Sequence, residues 1–203
     1  GAMLGKLVAD SGAAQRITSK LIARFGIKYI QWAVVVAGFI VGIPMFYSVG
    51  FVILIPLVFT VAVSSGLPLI YVGLPMLASL SVTHGFLPPH PAPTAIPSMF
   101  NADIGKTLLY GIIISIPAII IAGPLFSRTI KHVNASPLEE FYNPIILKDE
   151  EMPGIGISIL TALLPVILII FSSFFTIVFK GDSLLKEIIE FIGNPVIAML
   201  ISV

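Results

Sequence analysis

From Tyr29 to Ala102 the chain carries no Lys, Arg, Asp or Glu, and in the middle of that run stands Thr83-His84-Gly85-Phe86-Leu87-Pro88-Pro89-His90-Pro91-Ala92-Pro93-Thr94. Five of the ten residues from Pro88 to Pro97 are proline. Each lacks a backbone N–H and holds φ near −65°, so no regular helix is expected through Thr83–Thr94. Broken backbone within an apolar region of membrane length is tolerated only where protein or a water-filled cavity satisfies its polar groups. The segment must therefore either be covered by protein or line a water-filled cavity.

Composition agrees with a bilayer as the solvent. The sequence is 57% hydrophobic and 10% charged, with mean hydropathy +1.08, whereas soluble domains carry about 25% charged residues. An all-α membrane protein follows, since only helices and closed barrels span lipid and the apolar runs have helical length. A net charge of +1 gives no field for nucleic acid, and the absence of cysteine excludes disulfides, thiolate nucleophiles and Cys-ligated metals. Gly1-Ala2-Met3 reads as a protease scar or as native sequence, and no signal-peptide pattern precedes it. The last apolar run, 193–203, is shorter than the ~20 residues a span needs. The chain reads as an internal piece of a longer protein.

Residues 1–28 are expected to form a cytoplasmic-side amphipathic helix, its helical part (10–28) capped by Asp10 or Ser11 and ended by Gly26. Arg16, Lys20, Arg24 and Lys28 fall along one stripe, as in a helix lying among headgroups with its basic side in water. Residues 29–126 form the membrane transport unit. Its first part, 30–65, is read as a re-entrant hairpin turning at Phe46-Tyr47-Ser48, with Pro44 and Pro56 kinking the arms. A broken helix follows over 67–100, regular to 82 and resuming only after Pro97, and then a span over 105–126, kinked at Pro117 and ended by Gly123-Pro124. A cytoplasmic loop, 127–154, leads to 155–203: a span, a short amphipathic connection (180–192), and the truncated start of a second half. Five Lys/Arg in 1–28 and three in 127–154, against Lys106, Lys180 and Lys186 opposite, put the N-terminal segment and the long loop in the cytoplasm. No internal repeat is evident, as expected for one half of an inverted-repeat transporter plus the start of the next.

The candidate chemistry lies at the breaks. His84 and His90 are the groups of the charge-free run that titrate near neutral pH, and an ionisable residue at membrane depth is by default functional. One reading has a protonated imidazole pairing with an anionic substrate and releasing its proton on the other side. The other has neutral histidines satisfying carbonyls freed by the prolines. The hydroxyls of Ser81, Thr83, Thr94 and Ser98 either bind a polyol or cap the half-helices, and a half-helix starting near Thr94 would offer N–H groups to a carboxylate. Tyr47 and Ser48 are the polar pair at the hairpin tip. Asp103 and Lys106 read as a cap with a snorkelling lysine, or as a proton relay at the outer mouth. His84 and His90 make a poor metal pair, because no third ligand stands nearby. No Gly-x-Ser-x-Gly, His-Glu-x-x-His or Gly-rich phosphate loop points to an enzyme. Discontinuous helices of this kind are where secondary transporters hold substrate and coupling ion.

The segment 83–95, continued by Asn101-Ala102-Asp103-Ile104-Gly105-Lys106-Thr107, resembles the signature of the gluconate permease family, within a larger superfamily of ion-coupled anion transporters. Residues 1–6, 10–17, 38–44 and 50–59 resemble it in the same order, and the likeness covers about the middle half of a family member. The resemblance implies a proton symporter for gluconate or a related sugar or hydroxy acid in a bacterial cytoplasmic membrane. Relatives carry other small acids, D-serine among them. It further implies paired inverted repeats and a homodimer, with no cofactor beyond the coupling ion. The residues expected to line the substrate site are Tyr47, Ser48, Thr83, His84, Gly85, His90 and Thr94, with His84, His90 and Asp103 as proton-coupling candidates. Two positions depart from the pattern: Ser48 stands where an acidic residue is frequent, and Ala92 where Gly is frequent. The first shifts the proton towards the histidines and keeps Na+ coupling open. A carrier of another organic anion and a non-transporting scaffold or sensor are the alternatives.

Overall fold

Glycine and proline punctuate these helices in place of charge. The computed structural model describes residues 2–133, 135, 147–179 and 183–203, and among them the regular structure is entirely helical. Helices α1 (Ala2–Asp10) and α2 (Ala13–Phe25) lead through one 3-10 turn (Ile27–Tyr29) into α3 (Ile30–Gly42). Then come α4 (Tyr47–Ser65), α5 (Leu69–Phe86), α6 (Pro91–Met99) and α7 (Ile104–Ile120). A π turn (Ile121–Leu125) joins α7 to α8 (Phe126–Thr129), and α9 (Ile155–Val178), α10 (Leu184–Ile192) and α11 (Pro195–Ile201) complete the order. Among the described residues, three stretches are long and apolar enough to cross a membrane: Leu69–Met99, Ile104–Thr129 and Ile155–Thr176. The chain is a polytopic, all-α membrane protein. Much of the expected 127–154 loop, together with Lys180 of the charge count, lies outside the described residues.

Helix α5 is the axis of the bundle, with α3, α4 and α7 packed around it. Small residues make the close approaches, as expected where lipid tails supply no hydrophobic drive between helices. A Cβ on Gly38 of α3 would sit 3.0 Å from the Met76 carbonyl oxygen, and one on Gly42 would overlap Thr83 Oγ1. A Cβ on Gly123, in the π turn, would meet Pro75 Cα at 3.0 Å. The buried Ser79 hydroxyl donates to the Val35 carbonyl at 2.8 Å. These contacts run in the same direction along α3 and α5, so the two helices are parallel. Helix α3 has 13 residues, about 20 Å at 1.5 Å per residue. It ends against Thr83, partway along the 69–99 stretch.

The other end of the bundle is tied by polar groups. Gln31, buried at the start of α3, donates to the Tyr71 carbonyl at 3.0 Å and to Ser127 Oγ at 2.8 Å, and accepts from Arg128 Nε at 3.2 Å. Helix α2 turns 110° from α3 and its continuation. Its Lys20 and Arg24, and Lys28 beyond it, are exposed as the interfacial reading requires.

Arg16 corrects that reading at one position. It is 6% exposed and grips the segment before α9: Nε donates to Pro153 O at 2.8 Å, Nη1 to Asp149 Oδ1 at 2.9 Å, and Nη2 to the Asp149 and Met152 carbonyls. The Arg16 hydrogen bond, then its charge and that of Lys20, hold the exposed Asp149 carboxyl below the usual carboxylate range. These contacts put the N-terminal helices and the end of the long loop on one side.

Three further expectations change. Asp10 does not cap a helix beginning at 10; helix already runs from Ala2, and Asp10 pairs with Lys6 at 2.8 Å. The punctuation falls instead at Gly12, whose φ of +76° glycine adopts without strain, under Leu147 and Met152. Gly123-Pro124 does not end the 105–126 span, because the π turn takes up the proline and helix continues to Thr129. The proline break is also shorter than expected. Residues 83–86 complete α5, and α6 resumes at Pro91, well before Pro97. Pro91 and Pro93 occupy the first turn, where helix N–H groups have no intrahelical acceptor, so prolines there cost no hydrogen bond.

Candidate functional site: two helix breaks joined by a histidine pair

The break after α3 (residues 43–46) and the break after α5 (residues 87–90) lie against each other. His90 is the N-cap residue of α6, with extended backbone (φ −62°, ψ 152°), which turns its ring away from α6 and towards the end of α3. The peptide bond Pro88–Pro89, just before it, is cis. The His90 ring is 4% exposed; its Nε2 lies 2.9 Å from the Gly42 carbonyl and its Nδ1 lies 3.2 Å from Nδ1 of His84. Phe46, at the end of the other break, packs its ring near both imidazoles, at centroid distances of 5.8 Å and 6.5 Å. A small cavity of about 50 Å³ is lined by Pro44, Phe46, Pro89, His90, Pro91 and Met199 of α11.

These contacts fix the protons. A carbonyl only accepts, so His90 Nε2 carries a hydrogen and donates to Gly42. In a neutral His90 the other nitrogen, Nδ1, is then an acceptor, so the hydrogen between the rings belongs to His84 Nδ1. That leaves His84 Nε2 with a lone pair. One further proton can enter there without disturbing either hydrogen bond, and would turn that nitrogen into a charged donor. A second would set two N–H groups against each other across 3.2 Å. The pair as arranged has room for one added proton.

The remaining candidates fall into three groups. Tyr47 and Ser48 follow Phe46 as the first residues of α4 and are exposed, with Tyr47 stacked on Phe51. The first backbone bond of α4 is Gly50 N–H to Phe46 O at 2.9 Å, so the N–H groups of Tyr47, Ser48 and Val49 have no acceptor within the helix. The corresponding turn of α6 is different. Its prolines leave only Ala92 with such an N–H, so the expected carboxylate-binding half-helix near Thr94 is poor in donors. Thr94 Oγ1 is buried without a hydrogen-bond partner among the described residues, and it lines a cavity of about 530 Å³ with Pro89, Pro91, Ser98, Pro195 and Met199.

Thr83, Gly85 and Asp103 are not brought to the histidines. The Thr83 hydroxyl donates to its own helix, to Ser79 O and Leu80 O, and its side chain is packed under Gly42. Gly85 faces open space. Asp103 is exposed and caps α7, accepting from Lys106 N at 2.7 Å. No cluster of metal-ligating side chains occurs among the described residues. Sequence reasoning missed the Gly42 carbonyl and the Phe46 ring. The small-xxx-small pair Gly38 and Gly42, just before Pro44, is the signal that could have found them.

The GntP family permease profile matches residues 1–203. The chain is 53% identical over 203 residues to the high-affinity gluconate transporter of Escherichia coli (strain K12), covering all of this chain and 46% of that protein. It is also 53% identical to the Gnt-II system L-idonate transporter of the same strain, again over 46% of that protein. To the gluconate permease of Bacillus licheniformis it is 46% identical over 212 residues, all of this chain and 47% of the relative. The chain thus spans about half the length of the curated relatives it matches. No solved structure matches it. The family expected from the Pro-Pro-His-Pro segment is borne out: the chain belongs to the GntP family of permeases.

Proposed function

We propose that this chain forms part of a secondary transporter that couples uptake of gluconate, or a related small hydroxylated carboxylate, to protons across a bacterial cytoplasmic membrane. The observation that carries the reading is the histidine pair where the two breaks meet, locked to Gly42 by His90 and open to one proton at His84 Nε2. The re-entrant hairpin expected for 30–65 fits α3 and α4, since α3 stops against Thr83, partway along the 69–99 stretch. The relatives are named for gluconate and L-idonate transport, so a carboxylate with hydroxyls is the substrate class considered. A protonated His84 supplies a cationic donor to the carboxylate, and the free N–H groups of Tyr47, Ser48 and Val49 add the positive end of the α4 dipole. Thr94 supplies a hydroxyl for the polyol. Proton and substrate then stabilise each other's binding, as symport requires. Homodimer assembly and the inverted-repeat partner half belong to the same proposal.

Uptake of labelled gluconate by the complete protein in proteoliposomes tests it, with a pH gradient and a Na+ gradient imposed separately. Accumulation driven by the pH gradient alone is expected. Accumulation only with Na+ would overturn proton coupling, and no transport under either gradient would overturn gluconate as the substrate.

A further inference from the structure

Helix α10 turns its apolar side outwards. At 100° per residue, Leu184, Leu185, Ile188, Phe191 and Ile192 fall on one arc, and Lys186, Glu187 and Glu190 on the opposite one. In a soluble fold the apolar arc would face the core. Here Leu184, Leu185, Ile188 and Phe191 are 72%, 57%, 46% and 62% exposed, and no residue of the helix is buried.

Depth decides what covers that arc. A Cβ on Gly193, just after α10, would overlap Ser172 of α9, so the two backbones touch there. Ser172 lies about 9 Å along the axis from Val178, the last residue of α9. Gly105 touches neighbouring Ser173 in the same way, between the exposed Asp103 and Lys106, the first charged groups after the charge-free run. The end of α10 is therefore level with the point where charge first meets water, and not beyond it. The spanning helix α9, against which α10 packs, likewise exposes apolar side chains at this end, Phe171, Phe174 and Val178 among them.

We propose that α10 is an in-plane membrane helix, its apolar arc sunk at the boundary of headgroups and acyl chains and its acidic arc in water, on the face opposite the basic helix α2. Amphipathic helices bind the interface through their apolar face, and with an acidic polar arc that face alone would supply the attraction. The inference goes beyond the transport reading and does not depend on the substrate. Its consequence for the site is positional. α10 fixes the height at which α11 enters, and α11 carries Met199 to the cavity at His90.

The chain has one tryptophan, Trp32, which makes a direct test available. In the complete protein with every native tryptophan, Trp32 included, replaced by phenylalanine, tryptophan is introduced as Phe191→Trp, or as Ile188→Trp should the first variant not insert, and as Glu190→Trp on the opposite arc. Each is reconstituted in phosphatidylcholine brominated either near the head or near the tail of its acyl chains. The apolar-arc variant is expected to emit at short wavelength and to lose most of its emission to the near-head bromines, with little loss for Glu190→Trp. Short-wavelength emission untouched by either bromolipid would overturn the proposal in favour of a protein partner on that arc. Water-like emission would overturn it in favour of a solvent-facing helix.

Discussion

The two breaks that meet at the histidines are built in opposite ways. The break after α5 is closed: prolines remove two of the first-turn N–H groups of α6, and His90 is buried and tied to Gly42. The break after α3 is open: Tyr47, Ser48 and Val49 present N–H groups with no acceptor in the helix, and the Tyr47 and Ser48 side chains are exposed. The difference suggests a division of labour. A proline-rich break fixes a geometry at low entropic cost, and a break without prolines keeps its donors free for a ligand.

Removing the closed side should have the largest effect. His90→Ala leaves the Gly42 carbonyl and the His84 hydrogen without their partner, and concentrative uptake by the complete protein is expected to vanish. His90→Gln keeps a donor for Gly42 and an acceptor for His84, so a substantial fraction of uptake should survive. Equal loss in both variants would show that the two hydrogen bonds do not account for the role of His90.

Gly42→Ala pushes a methyl group into Thr83 Oγ1. A loss of about 1–3 kcal/mol is expected from such overpacking, read as a lowered Tm in detergent. Thr83→Ala in the same chain should recover part of it, and additive losses would mean that the contact is not close.

Making the open side resemble the closed one is a subtler change. Tyr47 is the first residue of α4 and Phe46 before it is extended (φ −62°, ψ 146°), so Tyr47→Pro fits the backbone while removing a donor. With Tyr47→Ala as the control for the lost ring, KM should rise about tenfold, the cost of one hydrogen bond to a charged group. Unchanged KM would exclude the start of α4 from the substrate site.

The smallest effect belongs to the far end. Asp149 has its folded pKa depressed by Arg16, so its contribution is present above its ordinary value of 3.8 and is lost as pH falls through the lower folded value. The contact between α2 and 147–153 is therefore intact across the neutral range. Asp149→Asn should speed amide exchange at 147–153 at neutral pH while leaving exchange in α5 unchanged, and faster exchange in both would tie this contact to the core.

What could be read in the sequence was what local chemistry decides. Apolar length identified a polytopic helical membrane protein, and the Pro-Pro-His-Pro segment identified its family. The break is legible but narrower than its proline count implies, because a first helical turn accepts proline. Periodicity puts Arg16 in water with its stripe partners, but its acceptors lie beyond residue 146, a distance that periodicity does not cover. The place of Thr83 in the motif points to the site, yet its hydroxyl is satisfied on the preceding turn of its own helix. The Gly42 carbonyl has no side chain to announce it, and only the parallel packing of α3 on α5 brings it to His90.

The central claim is that the pair takes its proton at His84, and His84→Gln in the complete protein tests it most directly. Glutamine can donate to His90 Nδ1 as His84 does, but it cannot titrate. Two rates are measured in proteoliposomes: exchange of labelled for unlabelled gluconate with no gradient, and accumulation under an imposed pH gradient. The variant is expected to exchange substrate and fail to accumulate it. Accumulation at the wild-type level would contradict the account and move the coupling proton away from the histidine pair.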